Sequence, residues 1–191
     1  MKNLKKIAAA VLVSAMAFSL AGCGSVKAVS MKDFKKAVKA VDSDDLEDNY
    51  NEIDEDEIKD WYSEYDHMDI INIAHTYDGD VYLAYYQFED DDAAADYFED
   101  VYDDFKDELE DNELDGKQRS SLSKNSGYIM YKGEFEYSFM LADDMYFSTD
   151  DYLVGIYRAD DMVVISICES DHKRDIELYN AFIKEIGFPS I

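Results

Sequence analysis

The sequence predicts an α+β domain in which helices cover one face of a mainly antiparallel sheet of about five to six strands, as a two-layer sandwich. Three observations lead to this fold class. Short apolar runs with strand-like spacing are joined by turn residues. Amphipathic helical stripes occur at the beginning, middle and end of the domain, and 16 tyrosines and 10 phenylalanines supply apolar surface for a core. Short connections make neighbouring strands antiparallel.

The first helix is predicted to begin at Ser30, because Ser30 and Asp33 have the spacing of a capping box. Apolar residues then recur at helical spacing, namely Phe34, Ala37, Val38 and Val41. Residues 42–57 are dense in acids and are expected to form a loop. A second, short helix is indicated by Ile58, Trp61, Tyr62 and Tyr65.

Residues 68–77 and 81–88 are predicted to form a hairpin, because Asp78-Gly79 between them suits a type I′ turn with positive φ. The longest helix is expected to begin at the acidic cluster 90–92 and to end at Gly116. Four further strands are predicted at 128–132, 134–141, 152–159 and 162–168. A final helix over 171–186 completes the order of elements.

The chain is strongly acidic, with 45 acidic against 18 basic residues and a formal net charge of −27 at pH 7. Such a surface repels the phosphate backbone, so no nucleic-acid partner is expected. The charge favours cations or basic peptides as partners, or it serves solubility alone, and glycans are a further candidate partner because exposed tyrosines suit sugar binding. The length suits one domain, and no linker rich in proline, glycine or serine divides it.

The N-terminal segment has three parts with separate roles. Lys2, Lys5 and Lys6 form a positively charged start, and residues 7–18 are almost wholly apolar. That stretch is too short to span a bilayer as a helix, which takes ~20 apolar residues. Small residues then lead to a cysteine in the run Leu20-Ala21-Gly22-Cys23. This arrangement resembles the signal peptide and lipobox of bacterial membrane lipoprotein precursors.

The resemblance implies that Cys23 carries a diacylglyceryl lipid anchor and that the chain is cleaved before it. Residues 1–22 would be the cleaved lipoprotein signal peptide, residues 23–30 a lipidated tether of at most ~25 Å, and residues 31–191 a single acidic α+β domain. The protein would then be held at the cell membrane and face outside the cytoplasm. An ordinary secretory signal with a chance cysteine, or an apolar core helix, is the alternative.

Removal of the signal would change the charge and the cysteine content of the chain. Three of the 18 basic residues and none of the acids lie in residues 1–22, so the mature chain would have 15 basic and 45 acidic residues and a formal charge of −30. Lipidation of Cys23 would leave Cys168 without a partner for an intramolecular disulfide.

Four lysines of the first helix lie opposite its apolar stripe and close to the predicted anchor: Lys32, Lys35, Lys36 and Lys39. Lysines near an anionic leaflet are attracted to it. The hypothesis is that these side chains face the membrane while the acidic body of the domain is directed outward. The alternative is a solvated helix face whose lysines pair with the acids that follow.

A cation site is predicted at one end of the sheet, because successive hairpins place alternate loops at the same end. Ca²⁺ prefers six to eight oxygen ligands, and it is the one cofactor that the sequence suggests. The candidate ligands are Asp143, Asp144, Asp150, Asp151, Glu169 and Asp171. The alternative is that these residues are turn formers that keep the surface charged.

No catalytic residue is assigned from the sequence. Cys168 and His172 lie near one another, but the flanking acids oppose a thiolate, which favours a structural cysteine. Tyrosines on two strands could form an aromatic ligand surface or belong to the core, namely Tyr82, Tyr85, Tyr86, Tyr128 and Tyr131.

The functional prediction is therefore a lipid-anchored extracytoplasmic surface protein with a binding or accessory role. Two alternatives stay open. One is an extracytoplasmic hydrolase that uses carboxylates at the acidic end of the sheet, and the other is a structural spacer in the envelope. A deep pocket containing carboxylates with raised pKa values would favour the hydrolase.

Overall fold

The computed structural model describes residues 26–41, 43–61, 68–111, 116–135, 138–141 and 145–191. Cys23 and the rest of the predicted signal therefore lie outside the described residues. Five helices occur within the described ranges: α1 (Met31–Ala40), α2 (Asp44–Asp48), α3 (Glu55–Trp61), α4 (Asp91–Asp111) and α5 (Lys173–Ile186). None of these helices is both long and apolar enough to span a membrane.

Nine strands occur in the same ranges. The first five are β1 (Asn51–Asp54), β2 (Ile70–Asp78), β3 (Val81–Phe88), β4 (Gly116–Leu122) and β5 (Ser126–Glu134). The remaining four are β6 (Phe139–Leu141), β7 (Met145–Phe147), β8 (Asp151–Ala159) and β9 (Met162–Glu169).

Seven of the described strands form one sheet in the order β1-β2-β3-β9-β8-β5-β4, and every neighbouring pair is antiparallel. The strands β6 and β7 pair separately as a two-stranded hairpin. The predicted α+β class with a mainly antiparallel sheet is thus confirmed. The sheet has one or two more strands than expected, and its two edges are β1 and β4.

The layering differs from the expected two-layer sandwich, because helices cover both faces of the sheet. The helices α1, α2 and α5 pack on one face, whereas α3, α4 and the β6–β7 hairpin pack on the other. The reason lies in the central strands. Val163, Val164 and Ile165 of β9 are successive residues, so their side chains alternate between the faces, yet all three are fully buried. An unbroken apolar strand of this kind requires cover on both sides.

The helix ends follow local rules that the sequence predicted. The Ser30 side chain accepts a hydrogen bond from the Asp33 N–H at 3.2 Å, and the Asp33 side chain returns to the Ser30 backbone, which completes the capping box of α1. At the far end of the chain, α5 stops at Gly187. This residue has a φ of +80°, a conformation that costs glycine little, and its N–H donates to the Ile183 carbonyl.

Three predicted segments differ from the structure. The expected loop 42–57 contains α2, β1 and the start of α3. The expected strand 134–141 is divided, since β5 ends at Glu134 and the Phe135 N–H then donates to the Asp150 carbonyl. The strand β4 lies in a segment that carried no strand prediction. Both β1 and β4 are edge strands of largely polar sequence, so they lack the apolar alternation that marks a half-buried strand.

The predicted tether is partly packed against the domain. Val26 is only 5 % exposed and Val29 packs against the same core, beside α1 and α5. The Tyr85 hydroxyl donates to the Val29 carbonyl at 3.3 Å, which ties this segment to β3. Only residues 23–25 of the predicted tether precede the packed part of the chain.

Candidate functional site

A cluster of paired charges lies where the end of β2 meets the first turn of α5 and the start of α2. Asp78 is 3 % exposed, and its two carboxylate oxygens accept hydrogen bonds from the Arg174 guanidinium at 2.9 and 2.6 Å. The Ser43 hydroxyl donates to the same carboxylate while it also accepts the Leu46 N–H and so caps α2. Three elements are joined through one buried carboxylate, called the Asp78 cluster below.

The electrostatics of the Asp78 cluster favour a structural role. The guanidinium of Arg174 holds the pKa of Asp78 below its ordinary value, with a smaller contribution from the Ser43 hydroxyl, and these effects exceed the opposing effect of burial. A carboxyl that serves as a general acid needs a raised pKa instead. The cluster is thus built to keep Asp78 ionised and to fasten α5 to the sheet.

The structure describes four of the six candidate cation ligands. Asp143 and Asp144 lie outside the described residues. The Asp150 carboxylate accepts the N–H of Asp151, and Glu169 accepts a hydrogen bond from the Tyr152 hydroxyl at 2.9 Å. The two strand ends lie side by side, because the Ser170 N–H donates to the Asp151 carbonyl at 2.6 Å.

Asp171 belongs to a different grouping. Its carboxylate lies within 4.8 Å of ligand atoms of Asp80 and His172, and all three side chains are exposed. Asp is a common turn residue, and exposed acidic groups are common without an ion. Ca²⁺ binding at this end of the sheet stays a prediction.

Cys168 is a buried structural residue of β9. Burial raises the pKa of its thiol to about 12, and the nearby carboxylates, with Asp175 foremost, add to the effect. A thiolate nucleophile requires the opposite shift. His172 forms the N-cap of α5 without a side-chain hydrogen bond to the helix, and its ring is 3.7 Å from the Asp171 carboxylate. The Cys168 thiol donates to the Glu169 carbonyl at 3.1 Å, and no hydrogen bond joins it to the His172 ring among the described residues.

The lysines of α1 divide into two groups. Lys32, Lys36 and Lys39 are exposed on the helix face opposite the buried stripe, as their spacing predicted. Lys35 differs because its ammonium is 3.0 Å from the Glu52 carboxylate and 4.8 Å from the centre of the Tyr50 ring. Three lysines are therefore available to an anionic surface, and the fourth fastens α1 to β1.

The tyrosines that could have formed a ligand surface belong mainly to the core. Those at positions 85, 86, 128 and 131 are buried, with two on each face of the sheet. Burial raises the pKa of Tyr85 to about 12. An exposed aromatic face on these strands is thus absent from the described part of the chain, and the tyrosines serve as large apolar side chains with hydrogen-bonding tips.

A basic surface on the opposite edge of the sheet was missed by the sequence reasoning. Residues 116–133 contain four basic residues and no acid, in a chain with 45 acidic residues. They form β4, the following turn and most of β5. The local absence of acids was the signal that could have revealed it. This surface, called the basic edge below, comprises β4 with Lys117 and Arg119, the turn with Lys124, and Lys132 of β5.

Like charges face each other across the basic edge. Lys117 of β4 is the cross-strand partner of Lys132 of β5, and no carboxylate in the described residues lies within 4.0 Å of either ammonium. Like charges directly opposite one another destabilise a sheet. An open groove of about 590 Å³ lies beside them, and its wall also includes Asp151, Ser170 and Ile176.

Arg119 lies on the same face of β4 as Lys117, since the two are separated by one residue. Its guanidinium is 5.7 Å from the centre of the Tyr128 ring, and it donates to the Ser190 carbonyl at 3.3 Å. Neither contact neutralises the charge. The Arg119 guanidinium is therefore held beside β4 by these two contacts and keeps its charge.

Arg158 supports this edge from the interior. It is 1 % exposed, and its guanidinium donates to the carbonyls of Ser123 and Lys124 in the turn between β4 and β5. Its Nε has no hydrogen-bond partner among the described atoms. Because the buried Arg158 guanidinium donates to main-chain carbonyls of the turn, it fixes the position of the β4–β5 hairpin.

Comparison with known proteins leaves the function to be argued from these residues. No family model matches the chain, and no curated protein matches it. Among solved structures, the chain is similar to the extracellular domain of PknH from Mycobacterium tuberculosis, with 10 % sequence identity and a TM-score of 0.33 over 86 % of this chain and 98 % of that one. A likeness at this TM-score carries no inference about activity or location.

Proposed function

We propose that this chain is a lipid-anchored extracytoplasmic surface protein whose domain acts as a binding module close to the membrane. The observation that carries the proposal is the position of Cys23, which ends a lipobox-like run and precedes the buried Val26 by three residues. Three extended residues span at most ~11 Å. An acyl anchor on Cys23 would therefore hold the domain against the headgroups and not at the end of a flexible stalk.

In this proposal the lipid on Cys23 is sufficient to attach the protein to the membrane. A diacylglyceryl group supplies two acyl chains, and two chains are what stable membrane attachment takes. The segment that follows leads directly into α1, because Val29 and Met31 pack against the core. The orientation of the domain on the membrane is then set by the packing of residues 26–31 and not by the anchor alone.

The exposed lysines of α1 would contribute to this orientation. Lys32, Lys36 and Lys39 lie in α1, the first helix after the predicted anchor, and carry no ion pair among the described residues. Acidic headgroups attract such lysines and repel the acidic remainder of the domain. In this arrangement α1 faces the leaflet.

Binding is favoured over hydrolysis by the ionisable groups that the structure describes. The buried carboxylate of Asp78 has a lowered pKa and the buried thiol of Cys168 a raised one, which are the wrong directions for a general acid and for a nucleophile. The basic edge, in contrast, presents charge that the fold does not use. We therefore assign the domain a binding role.

The anchor is tested by metabolic labelling with radioactive palmitate in a bacterial host. The wild-type chain is expected to take up label and to lose residues 1–22, while Cys23→Ser should take up no label and keep the mass of the uncleaved chain. Cys168→Ser is the matched control and should behave as the wild type. Labelling that persists in Cys23→Ser, or a wild-type chain without label, would contradict the proposal.

The role of the lysines is tested with the lipidated full chain in vesicles of phosphatidylcholine, with or without phosphatidylglycerol. Amide hydrogen exchange in α1 should slow only with the anionic lipid, and the triple substitution K32Q/K36Q/K39Q should remove the difference. The matched control K117Q/K124Q/K132Q carries the same change of charge on the basic edge and should retain it. Equal exchange in both vesicle types would refute the membrane-facing arrangement of α1.

A further inference from the structure

We propose that the basic edge docks an extended acidic segment of a partner protein, which pairs with β4 as an additional strand of the sheet. This inference rests on the proposed binding role of the domain but not on the lipid anchor. It follows from three features of the described residues: β4 has no further strand beside it, it carries two cations at alternate positions, and no carboxylate lies within 4.0 Å of either cation.

The free edge has a definite hydrogen-bonding pattern. The Ser123 N–H donates to the Ser126 carbonyl at 2.9 Å, so this pair closes the β4–β5 ladder at the turn. Hydrogen-bonded and non-hydrogen-bonded pairs alternate in an antiparallel ladder. Ladder bonds therefore come from Lys117, Arg119 and Ser121, and the main-chain groups of Gln118 and Ser120 point away from the sheet.

The hydrogen bonds between β5 and β8 agree with this assignment of the β4–β5 ladder. The Asp160 N–H donates to the Asn125 carbonyl at 3.1 Å, which makes the pair 125–160 the last hydrogen-bonded pair between β5 and β8. Because a residue within a sheet bonds to one neighbouring strand only, the odd-numbered residues of β5 bond to β8 and the even-numbered ones to β4. The outward groups of β4 are thus free to pair with another chain.

The cations specify the chemistry of that chain. Lys117 and Arg119 point to one face of β4, and Lys132 lies on the same face one strand further in. A strand added beside β4 would place every second side chain next to this row. Carboxylates at alternate positions would meet Lys117 and Arg119 directly and would relieve the repulsion between Lys117 and Lys132.

The opposite face of β4 adds a second preference. Gln118 and Ser120 lie on it, and the Ser120 hydroxyl is 3.2 Å from that of Tyr102 on α4. Leu122, at the end of the same row, is 50 % exposed. The segment that fits is therefore acidic on one face and polar on the other, with an apolar side chain next to Leu122.

A second copy of this chain is a poorer occupant. Two β4 strands side by side would bring like charges together, which disfavours symmetric pairing. The other edge, β1, carries Glu52 and Asp54, but both are engaged. Glu52 binds Lys35 and Tyr50, and the Asp54 carboxylate accepts the N–H groups of Asp56 and Glu57 at the start of α3. The observations thus favour a different protein.

The test measures binding of a fluorescent peptide of alternating threonine and glutamate to the full chain in a non-ionic detergent, with fluorescence anisotropy as the readout. The peptide has the length of β4, seven residues. We expect saturable binding that weakens with salt, and no binding of the matched peptide with glutamine in place of glutamate. K117Q/R119Q should weaken binding about tenfold or more. K173Q/K184Q, with the same charge change on α5, should not.

Main-chain pairing is tested separately from charge. Gln118→Pro removes an outward N–H but no ladder bond and no charge, and proline is tolerated at such edge positions. It should weaken peptide binding about tenfold, whereas Gln118→Ala should bind as the wild type does. Urea unfolding of each variant establishes that the fold is kept.

Three results would overturn the docking proposal. They are failure of the glutamate peptide to bind, unchanged binding by K117Q/R119Q, and unchanged binding by Gln118→Pro in a folded chain. Self-association of the wild-type chain through β4, seen by sedimentation and abolished by Gln118→Pro, would also overturn the proposal, because the occupant of the edge would then be a second copy of this chain. These readouts do not involve the acyl group, so they fail independently of the palmitate experiment.

Discussion

The Asp78 cluster and the basic edge are both charged regions of one sheet, but they use charge in opposite ways. In the cluster, a buried carboxylate is matched by a bidentate guanidinium and a hydroxyl that also caps a helix. On the basic edge, two lysines face each other, and no carboxylate of the described residues lies within 4.0 Å of either ammonium. The difference separates charge that holds the fold together from charge that the fold tolerates at a cost.

The same contrast applies to the two edges of the sheet. The edge strand β1 has four residues, and its acids are bound to Lys35 and to the start of α3. The edge strand β4 has seven residues, nearly all exposed, and its cations meet no acid in the described part of the chain. One edge is closed by its own neighbours, and the other is left open to a partner.

The largest expected effect concerns Cys168, a buried thiol whose nearby carboxylates, Asp175 foremost, add to the effect of burial. A rise of its thiol pKa from an ordinary 9.0 to about 12 lowers the thiolate fraction about a thousandfold at neutral pH. The folded chain should therefore not react with an aromatic disulfide reagent, and full reaction should follow unfolding in urea. Rapid reaction of a native chain that carries Cys23→Ser would show that this region is open.

The next effect is the loss of the buried carboxylate. Asp78→Ala removes the bidentate partner of Arg174, which keeps its contact with Asp175, and it removes the acceptor of the Ser43 hydroxyl. We expect a loss of about 2 kcal/mol in the free energy of unfolding, because hydrogen bonds to charged groups contribute about this much. Urea unfolding checks the value. Asp80→Ala, in the exposed turn beside it, is the matched control and should change stability little. If both substitutions lowered the free energy of unfolding equally, the buried, paired Asp78 would not stabilise the fold more than the exposed Asp80 does.

The free energy of unfolding at acid pH should depend on the ionisation of the Asp78 carboxylate. The folded-state pKa of Asp78 lies below its ordinary 3.8, so near that pH the unfolded chain binds more protons and stability rises with pH. The contribution is present above 3.8 and is lost as the pH falls through the folded-state value. Asp78→Asn should flatten this acid limb in unfolding curves measured from pH 5 downward. An unchanged slope in that variant would mean that Asp78 is not held ionised.

Much of the fold could be predicted because local rules agree with the final packing. The capping box at Ser30, the hairpin of β2 and β3 and the apolar strands β8 and β9 lie as expected. The turn of that hairpin differs from the predicted type I′ turn, because Asp78 still pairs with Val81 in the ladder and only Gly79 of the two turn residues has a positive φ. The edge strands were missed, since their polar side chains record no alternation. Helical cover on both faces was missed as well, although successive buried residues such as Val163 and Val164 required it.

The candidate sites were less predictable, because they depend on contacts between distant segments. The sequence could not show that Arg174 neutralises Asp78, 96 residues away, or that Glu52 binds Lys35. It also could not show that Lys117 and Lys132 are cross-strand partners. The acid-free run 116–133 was visible in the sequence, but its meaning depends on its place at the edge of the sheet.

The smallest effect in kcal/mol tests the central claim most directly, because it separates stability from binding in one variant. Lys117→Gln relieves a like-charge pair and removes one docking cation. Urea unfolding and glutamate-peptide binding should be measured on the same sample of the full chain. We expect stability to rise by about 0.5 kcal/mol while peptide affinity falls several-fold. A loss of stability together with unchanged affinity would contradict the claim that this charge is kept for a partner.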